Sequence, residues 1–315
     1  MGRGALVLAL LAACALPAAA ADLKDDHVVG RRAMEHVQAL VRYGERWPGS
    51  EGHKRAQAYI IRQLQLAYAE VEESDFIVQS PYGTVAMKNI IGKIPGRSKD
   101  REIVVLAGHY DTLRLTGFVG ANDGGSSAAL LLELARVLGR RQPENPLTVW
   151  VVFFDGEEAF VQWGPRDGTF GSRIQAARWE QDAVLPQIKA FILVDMIGDR
   201  DLQLRRDLNS TPWLADLVWQ VAEDKGRRAN FTEDSMAVQD DHIPFIRRGV
   251  AAVDLIDFDY GPGNRYWHTV EDTIDRVSAQ SLEIVGEVVL ETVARLGQGT
   301  PAPTDAPAAP AKQSR

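Results

Sequence analysis

Four short, largely apolar runs, each passing into polar or acidic residues, restrict this chain more than any other feature. They lie at 103–107, 147–154, 188–194 and 250–256. Runs of this length, rich in β-branched and aromatic side chains, suit strands buried on both faces. Between and around them, residues 31–42, 50–69, 124–138, 212–222 and 274–296 carry apolar side chains at helical spacing. In 124–138, Ala128, Leu131, Leu132, Ala135 and Leu138 share one face. Two further strands, 75–79 and 84–94, flank a turn at Pro81-Tyr82-Gly83. Two-sided strands alternating with amphipathic helices predict an α/β fold, a three-layer α/β/α sandwich with a mixed, mostly parallel central sheet. There is no internal repeat and no glycine fingerprint of a nucleotide-binding turn.

In such sheets ligands bind beyond the carboxyl ends of the strands. The first run leads into His109-Tyr110-Asp111, and the loop after it holds Asp123 in GANDGGSS, just before a helix. The second leads into Asp155-Gly156-Glu157-Glu158, the third ends at Asp195, and Trp267-His268-Thr269 follows a glycine-proline stretch. Two imidazoles and several carboxylates therefore converge on one edge. So many carboxylates resist joint ionisation unless a cation shares the site. Mixed histidine and carboxylate ligands suit zinc, and a catalytic zinc keeps a position open beside three protein ligands. No HExxH helix is present, so the ligands must come from separate loops. Taken singly, Asp123 could be a helix cap and Glu157-Glu158 a solvated loop end; five strand-end coincidences in order are harder to explain that way. His27, His36 and His53 lie in the N-terminal helical region and are expected to pack away from the strand ends.

The order HYD, NDG, GEE, VD, WHT resembles the zinc-dependent aminopeptidase superfamily, which includes the animal-type glutaminyl cyclases. The likeness runs over about residues 30–297. FFDGEEAFVQW (153–163), QDDHIPFIRRGV (239–250) and YWHT (266–269) resemble the cyclases in particular. The resemblance implies Asp123, Glu158 and His268 as ligands of one zinc ion per chain, and Glu157 as the catalytic acid/base. It implies that Asp195 and Asp240 form a hydrogen-bonded acidic network with Glu157. Trp163 and Trp267 would line the substrate pocket and Gln239 would hold the substrate. In two-zinc aminopeptidases the equivalents of His109 and Asp195 bind a second metal, and both residue types occur here. The ligand set alone thus leaves one zinc or two open, and the cyclase-like stretches favour one. The implied reaction closes the N-terminal glutamine of peptides or proteins into pyroglutamate and releases ammonia. The alternatives are a two-zinc aminopeptidase and a binding module on a degenerate scaffold; the intact acidic set speaks against the latter. Residues 257–265 look longer and more acidic than in the cyclases and would alter the pocket rim.

Composition bounds the rest. Residues 1–21 read as a signal peptide, with Arg3 before a short apolar run and Ala18-Ala19-Ala20 as cleavage site. The expectation is a secreted or periplasmic protein. The one cysteine, Cys14, falls in that leader, so no thiol serves as nucleophile or ligand after cleavage. Leu11-Ala12-Ala13-Cys14 also resembles a lipoprotein site, which would anchor the chain through Cys14. Residues 22–297 read as one catalytic domain, and 298–315, rich in Pro and Ala, as a disordered tail. The net charge of −8 argues against a nucleic-acid partner, and no segment reads as a membrane span. The sequons at Asn209 and Asn230 matter only in a host that glycosylates.

Overall fold

A computed structural model describes residues 27–97, 102–142 and 144–299. The leader expected at 1–21, Cys14 within it, and all but the first two residues of the tail expected at 298–315 lie outside these residues.

The described residues begin with helices α1 (Gly30–Val41) and α2 (Glu51–Leu66). The Ser50 hydroxyl accepts the backbone N–H of His53 and so starts α2. A hairpin follows, β1 (Glu70–Ser80) and β2 (Gly83–Ile94), closed where Ser80 faces Gly83. Then come β3 (Ile103–His109), α3 (Gly125–Arg140), β4 (Thr148–Phe154), α4 (Phe170–Gln181) and β5 (Ile188–Asp195). The last part holds β6 (Leu204–Asp207), α5 (Pro212–Asp224), β7 (Phe231–Met236), α6 (Ile243–Ile246), β8 (Ala252–Ile256) and α7 (Ala279–Gly297).

The main sheet runs β1-β2-β4-β3-β5-β8. β1, β2 and β4 pair antiparallel, while β4, β3, β5 and β8 pair parallel. Every residue of β3 is buried. Its Val104 and Leu106 join Val149, Val151 and Phe153 of β4 in a core shared with α1, α2, α3, α5 and α7. Val105, Ala107, Val152 and Phe154 face the other way, onto Ala176 and Trp179 of α4 and Phe245 of α6. These two cores are why the central strands read as unbroken apolar runs, and they make the expected three-layer sandwich.

The differences from expectation have local causes. β1 is longer than 75–79 because an edge strand tolerates exposed charge, here Glu70 and Glu73. The helix expected over 274–296 is a 3-10 turn at Ile274–Arg276 followed by α7, which begins where the Ser278 hydroxyl accepts the N–H groups of Gln280 and Ser281. α4 escaped notice because its sequence has no continuous apolar stripe: Ala176 and Trp179 reach the core among Arg173, Arg178 and Glu180.

Candidate active site

Three parallel strands deliver functional residues to one edge. Register sets His109, the last residue of β3, beside Phe154, and Asp195, the last of β5, beside Ile256. β4 passes through Asp155 into Gly156-Glu157-Glu158. Gly156 has φ +67°, and a Cβ there would lie 2.7 Å from the Met87 sulfur. Gly124 has φ +73°, and its Cβ would come within 2.4 Å of the Asp111 carbonyl oxygen. Only glycine fits either turn without strain. Met196 (φ 49) and His268 (φ 54) also take left-handed backbone, next to and within the acidic cluster. Bulky residues hold that conformation only where their surroundings impose it.

Buried carboxylates fix the loops. Asp111 accepts the N–H groups of Glu157 (3.2 Å) and Glu158 (3.3 Å). Asp272 accepts those of Asn122 (2.8 Å) and Asp123 (3.0 Å), and also the Tyr260 hydroxyl (2.8 Å). Arg46, fully buried, donates to the carbonyls of Tyr110 (3.1 Å), Val119 (2.5 Å) and Gly120 (2.9 Å). His53 corrects one expectation. It is packed, as predicted, but it reaches a strand end, with Nε2 2.8 Å from Asp155 Oδ1. Burial alone would lower its pKa; the Asp155 charge and hydrogen bond outweigh that and raise it. His36 does stay among the helices, with Nδ1 2.7 Å from the Tyr59 hydroxyl.

At the centre, His268 Nε2 lies 3.3 Å from Asp123 Oδ2 and 3.3 Å from Glu158 Oε2. Asp123 Oδ2 and Glu158 Oε1 are buried without a hydrogen-bond partner. Ligands about 2.0 Å from a tetrahedral centre lie about 3.3 Å apart, so this donor set fits a zinc-sized cation. Burial opposes charge on Asp123, but His109 and His268 outweigh it and hold this carboxyl well below the usual range. Burial lifts Glu158 to about 7, helped by Asp123 and opposed by His268. His268, against its own burial, is raised to about 10 by Asp123 and Glu158.

A second trio shares Asp123. His109 Nε2 lies 3.2 Å from Asp123 Oδ1 and 3.1 Å from Asp195 Oδ1. Here one carboxylate oxygen has other partners: Asp195 Oδ1 also accepts Ser127 Oγ (3.2 Å) and the Met196 N–H (2.8 Å).

Glu157 belongs to neither trio; His109 Nδ1 is 3.9 Å from its Oε2. Burial holds its carboxyl well above the usual range; Asp240, Glu158 and Asp241 push the same way, and His109 against. Burial likewise raises Asp240, with Asp195 and Asp241 adding to it. These charges are close enough to couple, yet among the described residues no hydrogen bond joins Glu157 directly to Asp195 or Asp240. Two residues beyond Asp240, His242 Nε2 lies 3.0 Å from Asp207 and Nδ1 3.7 Å from Asp254, all three fully buried or nearly so.

The cluster floors a cavity of about 690 Å³ that Trp163, Gln239 and Trp267 also line. Trp267 stacks on His268 with ring centres 4.2 Å apart and leans on Phe258 at 4.9 Å. Trp163 is 42% exposed, in a loop shaped by Asp167, which accepts the N–H groups of Phe160, Val161 and Gln162. The acidic 257–265 stretch spends its charges on structure: Asp257 accepts the Gln203 N–H and Asp259 pairs with Arg205.

The sequence profile of peptidase family M28 matches residues 89–293, which span all of these residues except His36, Arg46, His53, Tyr59 and Met87. The chain belongs to peptidase family M28. The glutaminyl-peptide cyclotransferase of Boiga irregularis is 34% identical over 283 residues, covering 78% of this chain and 76% of the relative. The crystal structure of a glutaminyl cyclase from an Acidobacteriales bacterium superposes with a TM-score of 0.83 at 42% identity, covering 87% of this chain and 96% of that one. A Zn-dependent exopeptidase from Parabacteroides distasonis gives a TM-score of 0.75 at 25% identity, covering 85% and 98%. This M28 chain therefore resembles both cyclases and a peptidase, and is nearer in sequence to the former.

Sequence reasoning did not find Arg46, Asp272 or the capping role of Asp111. Only Asp111 carried a signal, as the third residue of the strand-end HYD. Among the described residues no helix is long and apolar enough to cross a membrane.

Proposed function

We propose that this M28 chain is a glutaminyl-peptide cyclotransferase with one zinc ion per chain, held by Asp123, Glu158 and His268. The observation that carries the reading is the trio itself: two buried carboxylates, each with an oxygen that has no hydrogen-bond partner, and an imidazole at zinc-ligand spacing, in an aromatic-walled cavity beside a glutamate outside the trio. The cyclotransferase names of the relatives support it. Family chemistry and the donor set favour zinc, and the cyclase-like stretches of the sequence favour a single ion over two.

A zinc ion held by Asp123, Glu158 and His268 would supply Lewis-acid polarisation of the substrate's γ-carboxamide. The chain's own residues do the rest. Trp163 and Trp267 confine the flat amide side chain, and Gln239 is placed to hold it. The substrate's α-amine attacks the γ-carbonyl carbon; a C–N bond forms and the bond to the amide nitrogen breaks. Glu157 takes the proton the amine loses and delivers it to the departing nitrogen, which leaves as ammonia. Asp195 and Asp240 keep the proton affinity of Glu157 high enough for both transfers. The nucleophile is already tethered to its electrophile, so no water is needed. The signal-like residues 1–21 favour a secreted or periplasmic site of action.

The test compares Gln-Ala-Ala-amide with Leu-Ala-Ala-amide. The first should lose one ammonia with no peptide bond cut, and the second should stay intact. The rate should rise from acid towards mildly alkaline pH, as the α-amine, with an ordinary pKa of about 7.7–8.0, loses its proton. Acetylating that amine should stop the reaction. Free leucine from the second peptide, with no mass loss in the first, would establish the peptidase instead.

A further inference from the structure

The cavity is larger than one glutaminyl side chain needs, and its lining includes Leu113, Arg114 and Leu115, of which Arg114 is exposed and so stands at the mouth. Arg114 is the one lysine or arginine among the lining residues. Its guanidinium lies 3.8 Å from the ring centre of Tyr82 and 4.6 Å from that of Trp47. Those rings come from the β1–β2 turn and the α1–α2 connection. Trp47 is fixed in turn: its indole N–H donates to Glu45 (2.9 Å), whose other oxygen accepts the Gly117 N–H (2.7 Å). The platform is thereby tied to the loop that carries Arg114.

Stacking orders a guanidinium without using its donors. Among the described residues no carboxylate pairs with Arg114, whose planar fork suits one. The cavity's charges are also graded. Glu157, Asp240 and their acidic neighbours lie at the floor, where the substrate's amine must go, and the cation stands at the rim, where the rest of the peptide must leave. We infer that Arg114 is a specificity-determining residue that binds a carboxylate within the first two residues after the glutamine. This rests on the cyclotransferase reading and narrows its substrates to peptides acidic near the N-terminus, or short enough to present their own C-terminal carboxylate.

The experiment measures kcat/KM for Gln-Glu-Ala-amide, Gln-Gln-Ala-amide and Gln-Lys-Ala-amide, and for Gln-Ala as free acid and as amide. A partly exposed pair is worth up to about 1 kcal/mol, or about fivefold. The glutamate peptide should exceed the glutamine peptide by about that factor, mainly through KM, with the lysine peptide slowest. Arg114→Gln should bring the ratios to near one, and Arg114→Glu should reverse them. Salt of about 1 M, where the Debye length is about 3 Å, should compress the wild-type ratios. A preference in the first series assigns a side-chain carboxylate, and one in the second alone assigns the C-terminus; either supports the inference. Equal rates in the wild type, or ratios that survive Arg114→Gln while all rates fall together, would overturn it. If no glutamine peptide releases ammonia, the cyclotransferase reading fails first and this inference with it.

Discussion

Glu157→Gln is expected to lower kcat by about 10²–10⁴-fold while the protein keeps its zinc, and Glu158→Gln to lose the metal itself. The two residues are neighbours, and Asp111 fixes both backbone N–H groups, so neither substitution disturbs the loop. Their side chains differ in what they reach. Glu158 Oε2 is 3.3 Å from His268 Nε2 and its Oε1 has no partner. Glu157 stands outside both trios, with a carboxyl that burial holds well above its ordinary range. Burial and its acidic neighbours raise its affinity for a proton, which a proton carrier needs. An amide cannot take the proton, but it fills the same volume. Zinc per chain after dialysis, measured beside turnover of a glutamine peptide, decides the point. If Glu157→Gln lost its metal and Glu158→Gln kept it, the two roles would be exchanged.

What the sequence made legible was what depends on short-range pattern. The runs at 103–107 and 147–154 are buried on both faces, so their apolar character is continuous and their ends are easy to place. Asp123, Glu157, Glu158, Asp195 and His268 follow from those ends and from the resemblance that their order carries. The residues that hold them in place have no local signature. Arg46 meets Gly120 across 74 positions and Asp272 meets Asn122 across 150. His53 looked like one more helical residue, yet α2 packs so that it reaches Asp155, 102 positions away. Arg114 reads as an ordinary loop cation until Tyr82 and Trp47 are folded against it. Such contacts are products of tertiary packing, and a single sequence does not record them.

Arg46→Met is expected to destabilise the domain by about 3 kcal/mol and to loosen its hold on zinc. Arg46 is fully buried, and burial lowers its pKa only to about 10, so it stays charged at neutral pH. It gives hydrogen bonds to three carbonyls, and its charge faces Asp272, Asp111 and Asp123. Methionine has similar bulk, so the loss is of donors and charge and not of volume. Three carbonyls, two of them buried, then lose their donor, and the nearby carboxylates lose a buried cation. At about 2–4 °C per kcal/mol for a domain of this size, the melting temperature should fall by roughly 6–12 °C. Because the freed carbonyls of Val119 and Gly120 belong to the loop that presents Asp123, the variant should also release zinc at lower chelator concentration. Excess zinc should recover part of the lost melting temperature, since a ligand bound only by the folded state stabilises it. Arg46→Lys keeps the charge but cannot donate to three carbonyls from one planar fork, so it should fall between the two. A melting temperature within about 2 °C of wild type, below the shift of even one kcal/mol, together with unchanged chelator sensitivity, would show that the Asp123 loop is held by Asp272 without help from Arg46.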